Sequence, residues 1–266
     1  MRLATVQLGI RPGETPAARF DRVEALLRGL KGADLILLPE LWKVGFFSFD
    51  DYRASAEPLE GETVTRLGAV ARELGSYLFT GSFIEHRGDR CYNTCALLDR
   101  QGGLAAHYSK VHLFGYGSRE REVLSSGDKV VTADTDFGRV GLSICYDLRF
   151  PELYRKLAEQ GAEVLINCAA WPYPRVESWT CLNMARAMEN QAYFLSCCCA
   201  GGEPGKQFIG RSMVVDPWGT PVAAAGERET VLITDIHPEA VATIREEFTP
   251  LKDRVFRIGD RIEEKE

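Results

Sequence analysis

The 266-residue sequence predicts an α/β fold, a single-domain sandwich with helices outside the sheets. Three observations predict it. Strand-like and helix-like patterns alternate along the chain in two broadly similar halves. Residues 34–39 (DLILLP) form a continuous apolar run, as strands of parallel sheets do, and residues 139–144 and 193–199 read as buried strands. No low-complexity linker, composition shift or exact internal repeat divides the chain. The predicted unit covers residues 1–266, with a core of about 1–248 and a tail from 249 to 266.

The elements follow in order. Residues 3–8 predict a first strand. Residues 16–30 place Ala17, Phe20, Val23, Leu26, Leu27 and Leu30 at helical spacing, and Gly32 ends that helix. The run 34–39 is the next strand, with Glu40 at its carboxyl end, where ligands gather in open α/β sheets. A lone glutamate is ordinarily a helix cap or a surface acid. Here an apolar rim follows, Leu41-Trp42 and Gly45-Phe46-Phe47, which would partly desolvate the carboxylate and make it a better base.

Residues 62–74 predict a helix closed by Gly75. Residues 77–85 and 91–98 predict a hairpin across the turn 86–90, and residues 104–109 a further strand leading into Lys110. Most lysines are solvated surface charges. Lys110 is flanked by Tyr108, Val111, Leu113 and Phe114, which suggests a half-buried ammonium that needs an acidic partner. Strands are predicted over 130–133, 139–145, 163–168, 193–199, 209–215, 221–225 and 230–236. Helices are predicted over 151–160, 178–190 and 238–248, and the 193–199 strand opens into a glycine-rich loop.

Cys145 closes one of the buried strands, just before a helix opening at Pro151-Glu152. A thiol at such an elbow can be exposed, beside backbone N–H groups free to hold a developing negative charge. The alternative is a buried structural cysteine, a common fate for this residue type. The stretch alone leaves both open.

The bulk numbers exclude several classes. With 32 Lys+Arg against 38 Asp+Glu, the net charge of -6 lacks the basic footprint of a nucleic-acid or anionic-membrane binder. The start of the sequence shows no apolar signal core, and no apolar run reaches membrane-spanning length, so a soluble, cytoplasmic chain is expected. Eight cysteines include the consecutive Cys197, Cys198 and Cys199, whose side chains would alternate between faces of a strand. That is no disulfide framework, and a reducing compartment is the simpler inference. Cys91, Cys95, His107 and His112 come near a zinc-finger spacing. Their histidines fall on strand and loop where a finger needs a helix, and no metal site is expected.

Glu40, Lys110 and Cys145 therefore stand in one chain, each near a strand end. The surrounding motifs are LILLPELW at 35–42, YSKVHLF at 108–114 and GLSICYDLRFPEL at 141–153. ARAMENQAY at 185–193 and GRSMVVDPWG at 210–219 complete the set. In this order they resemble the nitrilase superfamily of carbon–nitrogen hydrolases, over nearly the whole chain.

The resemblance implies a four-layer α-β-β-α sandwich that pairs as a homodimer through its outer helices, without metal or organic cofactor. It implies a catalytic triad of Glu40, Lys110 and Cys145, and a second glutamate, Glu120, counted back seven residues from Gly127. The backbone N–H of Tyr146 would join Lys110 at the oxyanion, and the charge of Lys110 would help lower the thiol pKa. Tyr146-Asp147 after the nucleophile, where nitrilases of the family usually carry Trp-Glu, favours a small amide over a nitrile as substrate. Trp171-Pro172 with Arg175, before the helix of Trp179, resembles the ω-amidases that deaminate 2-oxoglutaramate and 2-oxosuccinamate.

A substrate carboxylate calls for an arginine, and Arg149 and Arg175 are the candidates. A structural salt bridge to Asp147 or Glu152 is the equal alternative for Arg149. Two departures bear on the substrate: Cys198 stands where many relatives carry Asn, and the loop 201–207 (GGEPGKQ) matches no single branch. N-carbamoyl amines, deaminated glutathione and short aliphatic amides are the alternative substrates. A nitrilase and a catalytically silent binding protein rank lower, the latter because all three triad residues are in place.

Overall fold

The first helix shows how local sequence sets the elements. Thr15 accepts the Ala18 N–H on its hydroxyl and Pro16 takes the first turn, so the helix α1 begins where the sequence offers a cap and a pre-set φ. The computed structural model describes residues 1–256, so the expected tail lies outside the described residues from 257 onward. The first part of the chain runs β1 (Arg2–Gln7), β2 (Gly9–Ile10), α1 (Pro16–Arg28), β3 (Leu35–Leu37) and α2 (Glu62–Leu74). It continues with β4 (Tyr77–Arg87), β5 (Arg90–Leu98), β6 (Leu104–Ser109) and the one-turn α3 (Glu120–Val123). The second part runs β7 (Thr132–Thr135), β8 (Gly138–Ile144), α4 (Pro151–Glu159), β9 (Val164–Ala169) and α5 (Val176–Asn190). Then come β10 (Tyr193–Cys198), β11 (Ala200–Glu203), β12 (Lys206–Gln207), β13 (Met213–Val215), β14 (Pro221–Ala224), β15 (Thr230–Asp235) and α6 (Ala240–Glu247).

Two six-stranded sheets form the centre, in the orders β15-β1-β3-β4-β5-β6 and β14-β13-β10-β9-β8-β7. Strand alternation divides the first sheet between two cores. Ala4, Val6, Ile36, Leu38 and Leu78 face α1 and α2, where Phe20, Val23, Leu67 and Val70 meet them. Leu3, Leu35, Leu37, Phe79 and Leu97 face the second sheet and pack with Leu142, Ile144 and Ile166. That sheet in turn buries Leu153, Tyr154 and Leu157 of α4 and Trp179 of α5. The layers are α-β-β-α, as expected.

Some boundaries differ from expectation. The strand expected over 209–215 begins only at Met213, because Gly210 and Arg211 hold φ of 64° and 56° and cannot continue a pleat. The strand expected at 130–133 lies at Thr132–Thr135, where a two-residue turn pairs Thr135 with Gly138. The glycine-rich loop after β10 is itself a hairpin: β11 pairs with β12 across Pro204-Gly205 and lies parallel to β2, in a small third sheet. The Pro-Gly pair was the available turn signal.

Parallel pairing of β3 with β1 and β4, and of β9 with β8 and β10, brings several strand ends together. Glu40 follows β3, Lys110 follows β6 and Cys145 follows β8. At Gly81, with φ of 65°, β4 runs so close to the segment before Glu40 that a Cβ would collide with the Pro39 carbonyl.

Candidate active site

Each key side chain is set by its own backbone. Leu41 and Cys145 hold φ of 44° and 47°, a left-handed conformation that costs a bulky residue energy and clusters at functional sites. Leu41 is held by its N–H donating to Ser82 Oγ at 3.0 Å. Cys145 begins a 3-10 turn over Cys145–Arg149, so the strand turns sharply at the sulfur. Gly127 donates its N–H to the Lys110 carbonyl at 2.9 Å, and a Cβ there would strike Ser109.

The structure brings Glu40, Lys110, Glu120 and Cys145 into one buried cluster. Lys110 Nζ donates to Glu40 Oε1 at 2.9 Å and to Glu120 Oε1 and Oε2 at 2.9 and 3.0 Å. Both carboxylates and the ammonium are 0% exposed, so Lys110 is wholly buried rather than half-buried. Asn93, on β5, joins the two carboxylates, donating to Glu40 Oε1 at 2.9 Å and Glu120 Oε1 at 3.0 Å. Glu40 Oε2 accepts the Ala170 N–H at 2.8 Å, and Glu120 Oε2 accepts the Phe114 N–H at 2.6 Å.

Electrostatics follow from this burial. Removal from water opposes the charge on Lys110, but Glu120 and Glu40 outweigh it and hold the ammonium well above its ordinary pKa. Burial, aided by the charge of Glu40, pushes the Glu120 carboxyl up against the pull of Lys110. The Cys145 thiol is also pushed well above its ordinary range, by burial first and by Glu40 second. Lys110 pulls the thiol downward as expected, yet it does not win. Of the two readings the sequence leaves open for the sulfur, the structure has the buried one: Cys145 is 5% exposed, and burial with Glu40 outweighs the downward pull of Lys110.

Cys145 lines a small cleft. Tyr146, Arg149, Trp171 and Arg175, the four expected substrate-side residues, all line it. Phe46, from the rim after Glu40, and Phe114 complete its apolar walls. The Arg149 guanidinium lies 5.0 Å from the Trp171 ring centre and donates to Ser178 Oγ at 3.4 Å. It makes no ion pair with Asp147 or Glu152, so that alternative is not what the structure contains. Arg175 lies 5.7 Å from the rings of both Phe114 and Tyr116, with no carboxylate partner among the described residues.

Asp147 is spent elsewhere: Oδ2 accepts from Tyr108 Oη and the Ile144 N–H, and Oδ1 from the His112 N–H. Cys198 stands one layer behind the cleft, its sulfur 3.4 Å from the Trp171 nitrogen. Among the described residues, no group of three or more His, Cys, Asp or Glu could hold a metal, and no helix is long and apolar enough to cross a membrane.

The sequence reading missed Asn93 and the bracing role of Asp147. Asn93 left one signal, an amide in the middle of a strand, between Tyr92 and Thr94.

Residues 2–246 match the family described as carbon-nitrogen hydrolase. A 2-oxoglutaramate amidase of Paenarthrobacter nicotinovorans is 37% identical over 260 residues, covering 95% of this chain and 88% of that protein. An omega-amidase of Mus musculus is 35% identical, covering 95% and 94%. Among solved structures, a CN-hydrolase superfamily protein of Xanthomonas campestris with an arsenic adduct in its active site superposes with a TM-score of 0.88 at 30% identity, over 97% and 99% of the two chains. An amidase of Nesterenkonia sp. AN1, carrying the acetamide moiety of fluoroacetamide on its active-site cysteine, superposes at 0.81 with 28% identity, over 93% and 96%. With its two facing sheets, its Glu40–Lys110–Cys145 cluster and a match spanning almost its full length, this chain belongs to the carbon–nitrogen hydrolase family.

Proposed function

We propose that the chain hydrolyses the terminal amide of small 2-oxo dicarboxylic acids, 2-oxoglutaramate and 2-oxosuccinamate, to the acid and ammonia. The observation that carries the substrate is the pair Arg149 and Arg175. Two guanidinium groups without carboxylate partners among the described residues line an apolar cleft together with a thiol. A substrate with a carboxylate at one end and an amide at the other fits that polarity. The relatives named 2-oxoglutaramate amidase and omega-amidase support the same reading.

The cluster accounts for the chemistry. A resting thiolate would be a buried negative charge set beside the carboxyl groups of Glu40 and Glu120. The proton therefore leaves Cys145 only as the sulfur attacks, passing to Glu40 while the S–C bond forms. Lys110 and the Tyr146 N–H hold the tetrahedral oxygen. On collapse the C–N bond breaks, Glu40 returns its proton to the departing ammonia, and a thioester remains. Water then gives a proton to Glu40 and attacks the thioester, and the second collapse releases the acid and restores the thiol. Glu120 and Asn93 hold Lys110 and Glu40 in register throughout.

Short aliphatic amides are the second reading, favoured by the small, apolar cleft. Ammonia release from an oxo-acid amide, an N-carbamoyl amine, a short aliphatic amide and a nitrile, with Cys145→Ala as control, separates them. Release from the short amide alone would keep the chemistry and overturn the substrate.

The same proposal includes a cytoplasmic homodimer. All eight cysteines are free, which suits a reducing compartment. Trp218 and Phe248 stack at 5.6 Å while each is about half exposed, beside Met188 of α5, an apolar surface suited to a second copy. Sedimentation of the full chain checks the dimer.

A further inference from the structure

Outside the reacting cluster, Glu203 at the end of β11 stands apart. Its Oε2 accepts the Phe47 N–H at 3.0 Å, while Oε1 is buried without a hydrogen-bond partner among the described residues. Burial raises its pKa more than the amides of Phe47 and Phe46 lower it. A carboxylate kept in such a place, where an unmade hydrogen bond is costly, calls for a reason beyond its own stability.

Its surroundings supply one, because the β11–β12 hairpin reaches both walls of the cleft. Just past β12, Phe208 stacks on Phe47 at 5.9 Å and 15°, and Lys206 Nζ stands 5.2 Å from the Phe47 ring. Phe47 packs edge-on against Phe46 at 5.0 Å, and Phe46 lines the cleft with its ring centre 5.4 Å from Lys110 Nζ. On the opposite wall, the Ile209 N–H donates to the Trp171 carbonyl and the Tyr173 N–H to the Gln207 carbonyl, both at 2.9 Å. The loop that carries Phe46 pivots at Gly45, whose φ is 98°. A Cβ at Gly45 would stand 3.1 Å from Glu203 Oε1, so the carboxylate fills the space beneath that pivot.

We propose that Glu203 is a specificity-determining positioning residue, which seats Phe46 against the Trp171–Pro172 wall and so limits the size of the acyl group that reaches Cys145. The inference rests on the reading of this cleft as an amide site for its kinetic consequence, though not for its steric one.

The test uses the full-length protein with Glu203→Ala and Glu203→Gln. The first readout is the rate at which Cys145 reacts with iodoacetamide and with a bulky N-aryl iodoacetamide, followed by peptide mapping because Cys181 is exposed. The ratio of bulky to small reagent should rise about tenfold in Glu203→Ala, the scale on which one methylene is discriminated in an apolar pocket. Glu203→Gln, which still accepts from Phe47, should keep the original ratio. The second readout is kcat and KM for a short and a longer ω-amide, where the alanine variant should lose selectivity through KM for the longer one.

A uniform loss for all reagents and substrates would mark a merely structural role and overturn the proposal. Should Glu203→Ala fail to fold, Glu203→Asp shortens the reach by one methylene and must shift the ratio in the same direction. An unchanged ratio there overturns it too. A shifted labelling ratio with no amide turned over would leave this inference standing and sink the amidase reading instead.

Discussion

Asp147 Oδ2 accepts the Ile144 N–H at 2.9 Å, so a buried carboxylate pins the residue on which the chain turns into Cys145. The same side chain accepts from Tyr108 Oη at 2.8 Å and the His112 N–H at 3.1 Å, the two residues flanking Lys110 by two positions. One group therefore ties the Cys145 elbow to the segment that carries the Lys110 ammonium. Asp147→Asn presents an NH₂ group to these donors. It should lower stability by about 1–3 kcal/mol, as losing a buried charged acceptor does. Turnover should fall while KM stays nearly constant. Thermal unfolding with steady-state kinetics checks it, and an Asn variant with full kcat would break the proposed link.

The thiol pKa makes a second prediction. Because burial and Glu40 push the Cys145 thiol upward, alkylation of Cys145 should keep rising with pH beyond neutrality, with no plateau near pH 7. Glu40→Gln removes the negative charge that raises the thiol. Its alkylation profile should move to lower pH while amide turnover disappears. Mapping the labelled peptide across pH 6 to about 10 in both proteins decides this.

Specificity supplies the third. Arg149→Ala and Arg175→Ala should each raise KM for 2-oxoglutaramate by roughly ten- to a hundredfold, the scale of a lost hydrogen bond to a charged group. KM for a short aliphatic amide should scarcely change. Equal effects on both substrates would mean that the arginines support the wall and do not read a carboxylate.

Acid stability is the fourth. Arg22, and after it Arg19, hold the Glu14 carboxyl down to about 2 against the opposing effect of burial. A carboxylate with a depressed folded-state pKa stabilises the fold above its unfolded value of 4.5, and that contribution is lost as pH falls toward 2. Glu14→Gln should lie below the wild type in melting temperature at pH 6, with the gap closing between pH 4.5 and 2. A constant gap would assign the effect to packing alone.

The sequence was most legible where function and local pattern coincide. Glu40 and Cys145 each end an apolar run and Lys110 follows a mixed strand, which marks them as candidates, and the ordered motifs around them carry the resemblance that implies the triad. The arginine pair is legible as a candidate set, and only packing shows that Arg149 turns to Trp171 and Ser178 and not to Asp147 or Glu152. Asn93 was hidden because its two carboxylates lie 53 and 27 residues away, and no local pattern encodes such a meeting. The β11–β12 hairpin was read as a loop because its strands are four and two residues long, too short for alternation to register. The raised thiol pKa follows from burial and then from Glu40, neither of which neighbouring residues in the chain specify.

The pairing of β1 with β15 carries a consequence for synthesis. Residues 2–7 run antiparallel to residues 230–235, so one flank of β1 has no hydrogen-bonding partner until more than two hundred further residues have been added. A ribosome-bound chain halted before Thr230 would present that flank as an open edge to any other strand. Such stalled intermediates should bind holdase chaperones until β15 emerges and seals them.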